Sequence, residues 1–273
     1  MKKILLILLL VFIASGCGPK QESAKSEVNI FFGDSEFATD EFPADQDSTK
    51  ETMRTTIPII TYGHIQPENK NGSSIGSFST PAILFEKELK WLKNNGYESL
   101  STNDLEEKEV SEKSVIIMFD DGYEDLYTTA LPMLLELDFS AGVAIITDKI
   151  GQSGYMNVEQ LNSLAAQGFE IMSHSKSHPD LTEISPEQQS QEIFESKKYL
   201  EDNFDIVVNA FIYPRGEYND KTVGMMRKAG YGVALTTDPG ITDLKASPFR
   251  MKRVIIENSD TLEDFIKKVT SEN

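Results

Sequence analysis

The chain is poor in the residues that usually build metal and redox sites. One cysteine in 273 residues excludes an intramolecular disulfide framework and any zinc site made of thiolates alone, and three histidines are few enough to account for by name. Any metal site must therefore draw on His and carboxylates. Basic side chains are also scarce, 26 Lys and Arg against 44 Asp and Glu, and the resulting net charge of −18 repels phosphate backbones and argues against a nucleic-acid partner. There is one long apolar run, Ile4 to Ala14. It spans about eleven residues, whereas a bilayer crossing needs about twenty.

That run follows Met1, Lys2 and Lys3 and reads as a signal peptide over residues 1–16. Ala14-Ser15-Gly16-Cys17 resembles a bacterial lipobox, which implies lipidation of Cys17 and a protein anchored in the membrane and facing the extracytoplasmic side. A diacylglyceryl group carries two chains, enough for stable anchoring. Otherwise the protein is an ordinary secreted chain with one unpaired thiol. Residues 17–55 are rich in Ser, Thr, Asp, Glu, Lys and Gln and read as an acidic tether. Val28 to Phe32 is either part of that spacer or a short strand docked on the domain.

From residue 56 to the end, short apolar runs alternate with amphipathic stretches, the pattern of parallel β/α units in one domain. Strands are predicted over Ile57–Tyr62, Val115–Phe119, Gly142–Thr147, Phe169–Met172, Val207–Tyr213, Tyr231–Leu235 and Arg253–Ile256. Helices are predicted over Pro81–Asn95, Glu124–Leu137, Val158–Ala166, Pro186–Asn203, Asp220–Ala229 and Thr261–Val269. Ser185 is placed to cap the fourth helix.

Polar clusters fall where these strands end. Val115–Phe119 runs into Asp120-Asp121-Gly122, Phe169–Met172 into Ser173-His174-Ser175-Lys176-Ser177-His178-Pro179, Phe211-Ile212-Tyr213 into Pro214-Arg215-Gly216, and Val233–Leu235 into Thr236–Gly240. In a β/α barrel those ends converge on one face, where such barrels keep their chemistry. His174 and His178, four apart, would face the same way on a helical turn and could grip one ion with a carboxylate; otherwise they are a surface pair. Asp120 and Asp121, sent to different sides by strand alternation, divide naturally into a ligand and a proton acceptor. The competing reading makes them helix caps.

Phe119-Asp120-Asp121-Gly122, His174 to Pro179, and Tyr213-Pro214-Arg215-Gly216 resemble the three signature motifs of the polysaccharide deacetylases, carbohydrate esterase family 4, also called the NodB-homology domain. The similarity runs from about residue 57 to 269 and takes in Phe85 to Ser101 and Glu192 to Leu200. It implies a deformed (β/α) barrel that removes acetyl groups from an N-acetylglucosamine-containing polymer outside the cell, with a divalent metal, zinc before others. By the same resemblance Asp120 is the general base; Asp121, His174 and His178 are the metal ligands; and the backbone N–H of Arg215 belongs to the oxyanion hole beside Tyr213. Family members usually carry Tyr at position 215 and often Thr at 118, where this chain has Arg and Met. Asp238 either supports the site or is a turn residue before Pro239-Gly240.

The general acid is harder to place. Many members use a histidine near the C-terminus, and this chain has none after His178. A branch resembling the biofilm poly-N-acetylglucosamine deacetylases takes it from a Tyr-His pair near the start of the domain, which would align with Tyr62-Gly63 and leave His64 one residue late. A one-residue shift reverses a side chain on a regular strand, though Gly63 can relax the backbone. His64 is thus either the acid or a bland surface histidine. Tyr123, Tyr155, Tyr213, Tyr218 and Trp91 are candidates for sugar stacking or for packing. The alternative function is a glycan-binding lipoprotein without turnover on the same fold. A glycoside hydrolase would leave the two histidines unexplained.

Overall fold

A computed structural model describes residues 55–66, 78–106 and 109–271. The signal run, Cys17, the tether and the Val28–Phe32 segment lie outside the described residues. Seven parallel strands close into a barrel: β1 Ile59–Tyr62, β2 Ser114–Phe119, β3 Gly142–Ile145, β4 Glu170–Ser173, β5 Ala210–Ile212, β6 Val233–Pro239 and β7 Met251–Ile255. Each pairs with the next in chain order, and β7 pairs with β1 to close the ring. Helices α1 Ala82–Asn94, α2 Leu131–Glu136, α3 Val158–Ala166, α4 Pro186–Phe204, α5 Asp220–Ala229 and α6 Leu262–Thr270 connect or follow the strands. No helix among the described residues is long and apolar enough to cross a membrane.

β1, β2, β3 and β5 are buried and mainly apolar on both faces. Alternation sends Ile59, Ile116, Met118, Ala144, Met172, Ala210, Ile212, Leu235 and Met251 into one cluster inside the barrel. Ile60, Tyr62, Val115, Ile117, Val143, Ile171 and Phe211 join the larger cluster under the helices. The same parity, carried one step past the apolar plug, points Asp120, His174 and Arg253 inward at the C-terminal mouth.

The structure departs from the sequence pattern at identifiable places. Pro58 splits the first predicted strand, so that Thr56–Ile57 pairs antiparallel with Thr242–Asp243 instead of joining the barrel. The predicted Glu124–Leu137 helix is a π turn over Leu126–Ala130 followed by α2, because Pro132 has no N–H for the regular ladder. The Val207–Tyr213 strand shortens to Ala210–Ile212, and Val207 is exposed. Ser185 does cap α4, accepting from the Gln188 N–H while the Gln188 side chain returns a bond.

Two acids are buried in this frame. Glu88 on α1 accepts a hydrogen bond from the Tyr62 hydroxyl at 2.9 Å, and burial pushes its carboxyl from 4.5 up to about 8. Glu170, at the start of β4, accepts from the N–H and hydroxyl of Thr102 at 2.8 and 2.5 Å, yet burial still raises it from 4.5 to about 7. Both fold best in their protonated form, so their stabilising contribution is complete below pH 4.5 and is lost as pH rises through 7 and then 8. The expected slope is about 1.4 kcal/mol per pH unit for each titrating group. Thermal melts from pH 5 to 9 should show Tm falling, and Glu88→Gln should flatten the upper part of that fall; an unchanged slope in the variant would contradict the assignment.

Candidate active site

The second strand ends in a tight reversal that separates the two aspartates. Asp121 and Gly122 both take left-handed backbone angles, φ 71° and 79°, and the Gly122 N–H bonds the Asp120 carbonyl at 2.9 Å. Gly suits the second position because a Cβ there would lie 2.9 Å from Ile145. Asp120 keeps the inward direction of the strand and is 6% exposed. One guanidinium nitrogen of Arg253, Nη1, donates to both of its carboxylate oxygens, at 2.8 and 2.9 Å. Arg253 is 1% exposed and also donates through Nε to the Thr236 carbonyl at 2.5 Å. This pairing partner was not identified from the sequence. The available signal was parity: Arg253 is two residues past inward-facing Met251.

The reversal turns Asp121 toward the histidines. Its Oδ1 lies 3.5 Å from Nε2 of His174 and 3.8 Å from Nε2 of His178. His174 is buried, and its Nδ1 donates to the Ile212 carbonyl at 2.9 Å, which fixes the proton on Nδ1 and leaves the Nε2 lone pair free. The histidines do not share a helical turn. Ser175 and His178 adopt left-handed φ of 65° and 64°, and the His178 N–H bonds the Ser175 hydroxyl at 2.9 Å, so a tight loop, not a helix, brings the two rings together. Pro179 immediately after also disfavours helical backbone at His178. Glu192 on α4 clamps this loop by accepting from the N–H groups of Lys176 and Ser177 and from the Ser177 hydroxyl.

Asp121, His174 and His178 offer one ligand atom each, all within 4.8 Å of one another. Ligands about 2.1 Å from a shared ion stand about 3.4 Å apart in tetrahedral geometry, so this donor set fits a divalent metal. Burial, and then His174, hold the His178 imidazole below its ordinary value against the opposing pull of Asp121 and Asp120. It is thereby biased toward the neutral form that ligates.

Asp120, Asp121, His174, His178, Tyr213 and Arg215 line one cleft of about 260 Å³, with Phe78, Thr237, Arg253 and Ile255. Arg215 is exposed, with φ 59° and ψ 5°, and Gly216 packs so closely on Thr237 that a Cβ would come within 1.9 Å of its hydroxyl. The Tyr213 ring is buried against Tyr218, centroids 5.0 Å apart, with its hydroxyl donating to the Phe249 carbonyl. Asp238 is not brought into the cleft. Alternation along β6 turns Thr237 inward and leaves Asp238 exposed, accepting from the Tyr218 hydroxyl at 3.5 Å.

Residues 107–234 match the sequence profile of the family described as polysaccharide deacetylase. A Bacillus subtilis protein named as a polysaccharide deacetylase, YxkH, is 33% identical over 218 residues, 77% of this chain and 76% of its own. The chain belongs to the polysaccharide deacetylase family. A Staphylococcus aureus poly-beta-1,6-N-acetyl-D-glucosamine N-deacetylase is 24% identical over 257 residues, 82% of this chain and 87% of the relative. The structure of the Streptococcus pyogenes deacetylase PplD in complex with acetate matches with a TM-score of 0.74 at 26% identity, covering 81% of this chain and 100% of that one. The barrel is the (β/α) barrel of this family, and the chain is a deacetylase hydrolase.

In this deacetylase Gly63 and His64 have separate structural reasons. A Cβ on Gly63 would lie 2.3 Å from the Phe78 ring and 2.5 Å from the Phe78 carbonyl oxygen. Phe78 therefore occupies the space a side chain at 63 would need, and it forms part of the cleft wall. His64 begins a short strand, His64–Gln66, paired parallel with Ser79–Pro81. It does not line the cleft. Its Nδ1 lies 2.6 Å from the Asp125 carboxylate, and its ring stacks on Tyr123 with centroids 3.6 Å apart. Burial, and then the nearby Asp121 carboxylate, raise the Tyr123 hydroxyl above its ordinary value, so the ring that His64 stacks on is itself a neighbour of Asp121. Trp91 packs against Tyr97 and Phe265, away from any candidate sugar contact in the cleft.

Proposed function

We propose that this deacetylase hydrolyses the N-acetyl groups of an amino-sugar polymer of the poly-N-acetylglucosamine type, with a divalent metal held by Asp121, His174 and His178. The observation that carries the reading is the division of the aspartates: Asp120 is held by Arg253, while Asp121 is turned onto two imidazole nitrogens in the same cleft. A metal there, zinc by the His and carboxylate donor set, would polarise the amide carbonyl and render water nucleophilic at neutral pH.

The chain's own groups supply the rest. Asp120, oriented by Arg253, accepts the proton of the attacking water. The backbone N–H of Arg215, with Tyr213 behind it, donates to the oxygen on which negative charge develops. The proton for the departing sugar nitrogen is assigned to His64, the one histidine outside the donor set, whose Nδ1 is held by Asp125 and whose ring stacks on Tyr123. The extracytoplasmic setting follows from the signal run and Cys17, a lipid anchor that would hold the enzyme near wall and surface polymers. The relative named for poly-beta-1,6-N-acetyl-D-glucosamine supports that polymer over others.

The test is acetate release from poly-N-acetylglucosamine, chitin oligomers and peptidoglycan by wild type and by His64→Ala. Wild type should favour the first, and the variant should lose about 10²-fold or more in kcat. Equal turnover by the two proteins would remove His64 from the mechanism. No acetate from any of the three would remove the substrate class.

A further inference from the structure

A second cavity, of about 580 Å³, adjoins the catalytic cleft on the flank of the barrel. Its origin is topological. In a (β/α) barrel the helix after each strand covers the outer wall, but the β6 to β7 crossover contains only the two-residue strand Thr242–Asp243, and no helix. α6 covers the wall from one side alone. The gap has an apolar floor of Ile241, Val254 and Ile255 and a charged wall on α6 that includes Lys267 and Lys268. Lys268 is fixed by Asp260 at 2.6 Å and by the Ile255 carbonyl at 3.1 Å, so the wall is built rather than loose.

The cavity and the cleft share Thr237, Arg253 and Ile255. Arg253 is interior while Thr237 and Ile255 are half-buried, so the two spaces are separated by the thickness of one rim residue. We infer that this flank cavity holds the sugars adjacent to the one being deacetylated, making it a chain-binding groove for polymer rather than for short oligomers. The inference rests on the polymer reading above. Its volume lies within the usual range for ligand sites, about 300 to 1,000 Å³. An apolar floor with a polar wall suits a pyranose, which has weakly polar ring faces and a hydroxylated rim.

Lys267 is exposed, lines the groove and takes no part in the catalytic cleft. Lys267→Trp should fill the groove and raise KM for long poly-N-acetylglucosamine about ten-fold, with kcat unchanged and turnover of the trimer equal to wild type. Retardation in gels containing the polymer gives a second readout independent of turnover, and the variant should migrate faster than wild type. If wild type is retarded and the variant is not, while neither releases acetate, the groove stands and the deacetylation reading falls. Equal KM and equal retardation for the two proteins, or a matching loss on trimer and polymer, would overturn the groove.

Discussion

Replacing Asp120 by Asn is expected to lower acetate release by about 10²- to 10⁴-fold, with metal content unchanged. Asn keeps the shape and can still accept from Arg253, but it cannot take the proton of the attacking water. It also leaves a guanidinium that is 1% exposed without its counter-charge, at a cost of about 3–5 kcal/mol in stability. The two effects separate experimentally. Tm reports the uncompensated Arg253, and kcat measured well below that Tm reports the missing base. A variant with lowered Tm but near-wild-type kcat would assign Asp120 a structural role only.

The second large effect is expected at His174. Its Nδ1 is committed to the Ile212 carbonyl, so its one available nitrogen faces Asp121 and His178, and His174→Ala deletes a ligand that no other described side chain in the cleft replaces. Loss of the ion should remove several kcal/mol of transition-state stabilisation, about 10³-fold or more in kcat. Direct metal titration of the variant should show binding weakened in parallel. Wild-type affinity with low activity would move His174 from ligation to substrate contact.

The barrel was legible from the alternation of short apolar runs with amphipathic helical stretches. Val115 to Phe119 is apolar on both faces because both faces are covered, and continuing the alternation one step past Met118 and Met172 aims Asp120 and His174 into the mouth. The same parity was available for Arg253, but an isolated arginine in a strand carries no local sign that its partner lies just past the end of β2, more than a hundred residues earlier in the chain. Other features depend on backbone angles that side-chain pattern does not encode. Asp121, Ser175 and His178 are non-glycine residues at positive φ, and that choice, rather than helical spacing, brings the ligand atoms together. Gly63 looked like a misaligned catalytic position, whereas the structure gives it a steric reason in Phe78, fifteen residues later. Asp238 was a candidate because polar residues follow the apolar run Val233–Leu235, but β6 continues through Pro239 and its alternation places Thr237 in the cleft and leaves Asp238 outside it.

The central claim, that Asp121, His174 and His178 hold the ion on which hydrolysis depends, is tested most directly by titrating zinc into chelator-stripped protein while recording bound metal and acetate release from poly-N-acetylglucosamine. Activity should be absent in the stripped protein, rise in proportion to bound metal and saturate at one ion per chain. Undiminished acetate release from protein shown to be metal-free would contradict it.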